Sequence, residues 1–150
     1  MFKYRFERLL KIKTQLLDKK RLEIAAVVKQ INKTNNEIEE KKKENGLRRK
    51  KIDRLLSEEK PDRNWILFLS ENIEKTDEAI KDLEIKKRQL TEEKQKLIGE
   101  AQKLLKEKKK LERLKEKEFE NYRVENLRKE ARFLDEIASI KIARTISHSQ

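Results

Sequence analysis

A leucine repeat runs through residues 69–111, which read LSENIEKTDEAIKDLEIKKRQLTEEKQKLIGEAQKLLKEKKKL. Taking every seventh residue gives Leu69, Thr76, Leu83, Leu90, Leu97, Leu104 and Leu111, so six of these seven positions are leucine. On an α-helix, a spacing of seven keeps a narrow apolar seam turned toward a partner helix. The repeat therefore predicts a coiled coil, whose partner helix lies either in the same chain or in another molecule.

The composition excludes an ordinary globular domain. Of the 150 residues, 35% are hydrophobic, 5% are aromatic and 47% are charged, with two glycines, one proline and no cysteine. So little apolar material cannot form a compact core that offsets the chain entropy lost on folding. Long helices rich in Lys, Glu, Leu and Arg are typical of this composition, and the sustained seven-residue period favours them over disorder.

A second seven-residue series upstream supplies the partner. It consists of Leu10, Leu17, Ile24, Ile31, Ile38, Asn45 and Ile52. The only proline, Pro61, lies between the two series and disfavours helical geometry at Lys60, while Asp62 or Asn64 can cap a new helix. We predict a helix over about 2–56, a turn over about 57–64, a helix over about 65–144 and a frayed tail.

The two series match residue by residue when Lys60 and Pro61 form the apex, because residue n then faces residue 121 minus n. Every apolar position meets an apolar one, and the two polar exceptions, Asn45 and Thr76, meet each other. A slip of one heptad would bury either of them against an apolar side chain, so this polar layer should fix the register. The companion positions are less apolar and would bring Lys13 close to Lys108.

The predicted fold class is all-α, with two long helices in an antiparallel coiled-coil hairpin that forms a single domain over residues 1–150. The second helix is longer and overhangs at the C-terminal end, without an intrachain partner from about Glu120. Its apolar residues are Tyr122, Leu127, Ala131, Leu134, Ala138 and Ile142. An isolated helix is marginal in water, and an unpaired apolar stripe usually binds a partner.

Five consecutive apolar residues, Trp65-Ile66-Leu67-Phe68-Leu69, open the second helix. One seam cannot bury all five, since consecutive helical residues point about 100° apart. Two interpretations stay open: a hydrophobic plug packed under the turn, or an exposed docking patch with Trp65 and Phe68 as aromatic anchors.

Composition and motifs argue against catalysis, metal binding and export. The 41 basic and 29 acidic residues give a net charge of +12, but they are interspersed as on solvated helix faces. His148 is the single histidine, so no zinc-ligand set is present, and no glycine-rich phosphate loop occurs. No stretch has the ~20 apolar residues that span a bilayer, and the basic start lacks a signal-peptide core. We predict a cytoplasmic protein that is not an enzyme and uses no cofactor or metal.

Three motifs, in this order, resemble the FliJ family of flagellar type III export proteins. Phe6-Glu7-Arg8-Leu9-Leu10 looks like the family's aromatic-x-x-Leu-Leu opening, and Glu78-Ala79-Ile80 follows a tryptophan-containing turn, as in family members. Glu130-Ala131-Arg132-Phe133-Leu134-Asp135-Glu136-Ile137-Ala138 matches the family's Glu-x-x-x-Leu-Asp-Glu-x-Ala signature. With length, charge and hairpin, the resemblance covers nearly the whole chain.

The resemblance implies a non-enzymatic component of flagellar protein export, cytoplasmic and peripherally associated with the inner membrane at the flagellar base. Family members are similar to the central stalk of rotary ATPases: they enter the pore of the hexameric export ATPase FliI, contact the export gate FlhA and help recycle export chaperones. Carried onto this chain, the ATPase-facing residues are Phe6, Leu9, Leu10, Leu127, Glu130, Leu134, Asp135 and Glu136. The gate-facing surface includes Ala79, to which we add Trp65 and Phe68.

Other functions stay open beside this one. The stalk protein of an injectisome type III secretion system would show nearly the same pattern. A generic coiled-coil scaffold, or an electrostatic nucleic-acid binder that uses the basic excess, belongs to a different class. Steep loss of binding with rising salt would mark the nucleic-acid binder.

Overall fold

The computed structural model describes residues 1–149 and contains two α-helices and no strand within that range. Helix α1 spans Glu7–Leu56 and helix α2 spans Arg63–Ser149, with 50 and 87 residues respectively. The two helices contact each other as an antiparallel hairpin, and α2 is the longer. The predicted all-α hairpin with an overhanging second helix is therefore confirmed.

The turn between the helices follows the predicted capping chemistry. The backbone N–H of Trp65 donates to the Asp62 carboxylate at 3.2 Å, so Asp62 is the N-cap of α2. At the other side of the turn, the Ser57 hydroxyl donates to the carbonyl of Arg54 at 2.7 Å and satisfies one of the last carbonyls of α1. Side chains at both helix ends therefore replace missing backbone hydrogen bonds.

Helix α1 begins at Glu7, and the prediction that it begins near Phe2 is wrong. The Phe2 ring lies edge-on to the Phe119 ring at 5.3 Å, and the Tyr4 hydroxyl donates to the carbonyl of Leu111 at 2.8 Å. Residues two apart point to the same side of an extended chain but about 200° apart on a helix. A non-helical start is therefore what lets Phe2 and Tyr4 both pack on α2.

The prediction of a frayed tail from Thr145 is also wrong, because α2 continues to Ser149. The sequence after Ala138 contains no proline or glycine that would end a helix. The Thr145 hydroxyl donates to the carbonyl of Lys141, one turn earlier, at 2.9 Å. Gln150, the last residue of the predicted tail, lies outside the described residues.

Contacts divide the chain into two compact units, each built from an antiparallel pair of helical segments. One unit is Asp18–Gln102, and the other combines Met1–Leu17 with α2 from Lys103 onward. The description of the chain as a single domain stays a prediction.

The unit Asp18–Gln102 has a small apolar core at the predicted pairing positions. Val27, Leu90 and Leu97 are buried together, and Ile24 and Ile31 pack against them. This agrees with the predicted pairs, in which Ile24 faces Leu97 and Ile31 faces Leu90.

The predicted polar layer is present in the same unit, and Arg48 links its two members. Asn45 is only 1% exposed, and its side-chain amide donates to the Asp77 carboxylate at 2.9 Å and to the carbonyl of Ile73 at 3.2 Å. One guanidinium nitrogen of Arg48 donates both to the Asn45 side-chain oxygen at 2.8 Å and to the Thr76 hydroxyl at 3.0 Å. Every polar atom of the buried Asn45 side chain is thus paired, which requires this register.

We expect Asn45→Ala to lower the free energy of unfolding by about 1–3 kcal/mol, because Arg48 and Asp77 lose a buried partner. Urea denaturation followed by circular dichroism measures the change. Asn36→Ala, at an exposed position of the same helix, is the matched control and should stay within about 0.5 kcal/mol. Equal effects of the two substitutions would show that the layer does not stabilise the hairpin.

Ion pairs between the helices replace the expected like-charge contact in the other unit. Lys13 lies 2.7 Å from the Glu107 carboxylate, while Lys108 lies 3.8 Å from Glu112 on its own helix. Glu7 pairs with Lys115 at 2.8 Å. The residue numbers of Lys13 and Glu107 sum to 120, and those of Glu7 and Lys115 sum to 122. Both sums lie within one of the predicted 121, so these ion pairs agree with the predicted register.

Two carboxylates that pair across the hairpin have lowered pKa values. The hydrogen bond from Lys20 lowers the pKa of Glu100, and the hydrogen bond from Lys13 lowers that of Glu107. A group whose pKa is lower in the folded state stabilises folding above its unfolded pKa. That contribution disappears as the pH falls through the folded value, so acid should weaken both pairs.

We expect Glu100→Gln/Glu107→Gln to reduce the acid sensitivity of the protein. The melting temperature of the wild type should fall more between pH 7 and about pH 3 than that of the double variant. Thermal melts at a series of pH values measure the difference. The control Glu92→Gln/Glu93→Gln removes two exposed carboxylates that form no ion pairs. If this control reduced the pH dependence of the melting temperature equally, the acid sensitivity would not come from Glu100 and Glu107.

Candidate partner-binding surfaces

The C-terminal part of α2 exposes its apolar side chains. The Phe2 ring contacts Tyr122 at 5.4 Å, and beyond this point the large apolar side chains of α2 lie mostly in solvent. Leu127 is 55% exposed and Leu134 is 63% exposed. The other large apolar residues at least a third exposed in this segment include Val124, Phe133, Ile140 and Ile142. We call residues 123–149 the overhang.

The α1 residues of the predicted ATPase-facing set differ in exposure. Leu10 is buried in the hairpin, whereas Leu9 is 40% exposed. Phe6 is half-buried beside Tyr4, with the Arg5 guanidinium 4.4 Å from its ring centroid. Leu10 therefore serves the hairpin, and Leu9 presents the accessible apolar surface.

The α2 residues of that set lie on the overhang and are all exposed. They are Leu127, Glu130, Leu134, Asp135 and Glu136. The ion pair with Glu7 places the start of α1 beside Lys115, and Leu127 follows 12 residues later, about 18 Å further along α2. The structure therefore does not bring the two groups together, and a partner that contacts both must extend along α2.

The aromatic residues after the turn are exposed, which argues against a hydrophobic plug packed under the turn, and their role as a docking patch stays a prediction. Trp65 is 42% exposed and Phe68 is 52% exposed, and their rings stack at 5.6 Å with an angle of 20°. Leu69 is buried in the seam. Ala79 is half-buried, and its spacing of 14 and 11 residues from the two aromatics keeps all three on one side of α2.

The opposite side of the turn is also apolar. Leu56, Pro61, Arg63, Ile66 and Leu67 line an open cavity of about 470 Å³. Leu56 and Leu67 are each more than half exposed. Both sides of the turn therefore offer apolar surface to a partner.

We expect Phe68→Ala to increase the quenching of Trp65 fluorescence by acrylamide, because one face of the indole loses its stacking partner. Trp65 is the only tryptophan, so its emission reports this patch alone. Leu67→Ala, on the other side of α2, is the control and should leave the quenching constant unchanged. Emission that resists quenching in the wild type, as for a buried indole, would contradict the exposed patch.

The described residues contain neither a metal-binding group nor a membrane-spanning helix. No group of three or more His, Cys, Asp or Glu side chains is arranged to hold a metal ion. Within residues 1–149, neither helix contains a segment long and apolar enough to cross a bilayer.

The contacts of Tyr4 and Arg48 were not predicted from the sequence. The sequence contains an indication for Tyr4, because the aromatic residues Phe2 and Tyr4 alternate as in an extended segment that packs on one side. The sequence contains no indication of the partners of Arg48, since a long guanidinium side chain can reach many residues.

The fold and these surfaces define a class: a coiled-coil hairpin with exposed apolar surface. Comparisons of the chain with protein-family models, with curated proteins and with solved structures gave no significant match. The resemblance to the FliJ family therefore stays a prediction from the sequence motifs.

Proposed function

We propose that the protein is a non-enzymatic, stalk-like component of the flagellar type III protein export apparatus, which inserts the overhang of α2 into the hexameric export ATPase. The exposed overhang is the observation that carries this proposal. It presents Leu127 and Leu134 to solvent at more than half of their surface. Burying one such leucine against a partner contributes about 1.5–3 kcal/mol, so an unpaired helix of this kind gains most by entering a protein cavity.

The mechanism requires no chemistry from this chain. A helix that binds the assembled ring more tightly than the free ATPase subunits shifts the equilibrium toward the ring. The shift equals the difference between the two binding free energies, so it depends on apolar area that only the ring encloses. Exposed Glu130, Asp135 and Glu136 would set the orientation of the helix through charge.

The aromatic patch supplies a second contact in this proposal. Trp65 and Phe68 are exposed, stacked aromatics of the kind that dominate binding at protein interfaces. With Ala79 they would bind the export gate, and export chaperones would bind the same hairpin. The protein would then act in the cytoplasm, peripherally associated with the inner membrane at the flagellar base.

The test is stimulation of the export ATPase from the same organism. We expect the wild type to promote ring assembly and ATP turnover, and Leu127→Glu/Leu134→Glu to need at least about tenfold more protein for the same stimulation. Leu22→Glu/Leu47→Glu is the matched control, because both leucines are highly exposed on α1 outside the proposed surface.

Two results would contradict the proposal. One is that the wild type gives no stimulation at concentrations at which it is folded by circular dichroism. The other is that the overhang variant and the α1 control stimulate equally.

A further inference from the structure

A second seven-residue series runs along the exposed side of α2. We call it the outer series; its members, spaced alternately by three and four residues, are Lys103, Lys106, Lys110, Arg113, Lys117, Glu120, Val124, Leu127, Ala131, Leu134 and Ala138. In a seven-residue frame the centre of the series lies about 150° around α2 from the seam of Leu104, Lys108 and Leu111. The series therefore points mostly away from α1, although Lys110 also lines an open cavity with Leu9 and Lys13 of α1. Every member is exposed to solvent.

The first half of the outer series is basic. Its members are Lys103, Lys106, Lys110, Arg113 and Lys117, which extend over about 21 Å of helix. None of them forms an ion pair with a carboxylate of the described chain, whereas Lys108 and Lys115 on the inner side both do. The five cations leave net positive charge on this face, which an electrostatic interaction with Glu107 reduces at Lys103.

The second half is apolar and flat. Leu127 and Leu134 are exposed, and the small side chains of Ala131 and Ala138 lie one turn after each of them. This alternation of large and small residues lets another helix approach closely. Between the halves, the Glu120 carboxylate accepts from the Arg123 guanidinium at 2.7 Å, so its charge is balanced within α2.

The period of the series indicates the shape of its partner. A straight α-helix drifts by about 20° per heptad from a strict seven-residue repeat. Over the five heptads of residues 103–138, the outer series would turn by about 100° around a straight helix. It would therefore lose contact with a flat surface such as a bilayer. A second helix that supercoils with α2 stays in contact with the whole stripe.

The charge of the series indicates the chemistry of its partner. A second copy of this chain in parallel would place lysines against lysines, which is repulsive. An antiparallel copy would leave part of the basic half opposite apolar residues. A helix of another protein, apolar over one half and acidic over the other, matches both halves.

We propose that the outer series of α2 is the docking surface for an acidic amphipathic helix of another protein, with glutamate or aspartate facing Lys103 to Lys117 and apolar residues facing Val124 to Ala138. The surface shares Leu127 and Leu134 with the proposed ATPase contact, but the basic half is additional. The docking holds whether or not the partner is an ATPase, because the matching period and charge define it.

The test uses the full-length protein and fluorescent synthetic peptides of about 35 residues. One peptide carries leucine at the inward positions of its first heptads and glutamate at those of its last heptads; a second has the reverse order, to cover both helix directions. A third has the same composition with the seven-residue period destroyed. Fluorescence anisotropy measures the affinity of each peptide.

We expect one of the two periodic peptides to bind, and the aperiodic peptide to bind at least about tenfold more weakly. Lys106→Glu/Lys110→Glu/Arg113→Glu should weaken binding of the periodic peptide at least about tenfold. The matched control is Lys81→Glu/Lys86→Glu/Arg88→Glu, which makes the same change of net charge at exposed positions of α2 outside the outer series and should change binding less than about twofold. Circular dichroism confirms that each variant keeps its helices.

Three results would overturn the inference. The aperiodic peptide could bind as tightly as the periodic ones, which would reduce the effect to net charge. The two charge-reversal variants could bind equally. Duplex DNA, or vesicles of phosphatidylcholine and phosphatidylglycerol, could bind the wild type more tightly than any peptide and lose binding on reversal of the outer series, which would assign the surface to a polyanion or a membrane instead.

Discussion

The buried side chain of Asn45 is the interaction on which the register of this hairpin depends. An asparagine amide is costly to bury unless each of its polar atoms is paired, and here Asp77, the carbonyl of Ile73 and Arg48 pair them all. Apolar heptads alone tolerate shifts of seven residues, because one leucine replaces another. The polar layer removes this freedom, and the ion pairs Lys20–Glu100 and Lys13–Glu107 follow the same register in their respective units. Register in turn decides which residues of α2 have a partner on α1 and which have none.

Much of the fold was predictable because the period, the single proline and the polar exceptions act locally and consistently. The pairing about Lys60 and Pro61 and the polar layer of Asn45 and Thr76 followed from spacing, whereas the sequence left Asp62 and Asn64 both open as the cap. The start of α1 was not predictable from the period, since side-chain packing of Phe2 and Tyr4 on α2 competes with helix formation and prevails. The exposure of Trp65 and Phe68 could not be predicted from the sequence either, because a run of five apolar residues does not determine which of them the seam buries.

The candidate surfaces were partly predictable. Overhanging apolar residues follow directly from the register, so Leu127 and Leu134 were expected to be accessible, and they are. Leu10 shows the limit of a motif resemblance, because this residue is buried in the hairpin. Motif resemblance names residues, but burial separates those that hold the fold from those that can bind. The outer series repeats the seven-residue period of the inner seam on another face of α2, and this is the face that we propose binds a helix of another protein.

Hydrogen exchange of the backbone amides in the isolated, dilute protein can distinguish the part of α2 that packs on α1 from the overhang, because it measures helix opening residue by residue. We expect strong protection where α1 and α2 pair, highest around Asn45 and the core of Val27, Leu90 and Leu97. Protection should fall beyond Tyr122, where an unpartnered helix opens readily in water. Protection of the overhang as strong as that of the hairpin would contradict the account, since it would mean that residues 123–149 are already held by an intrachain or self-associated partner.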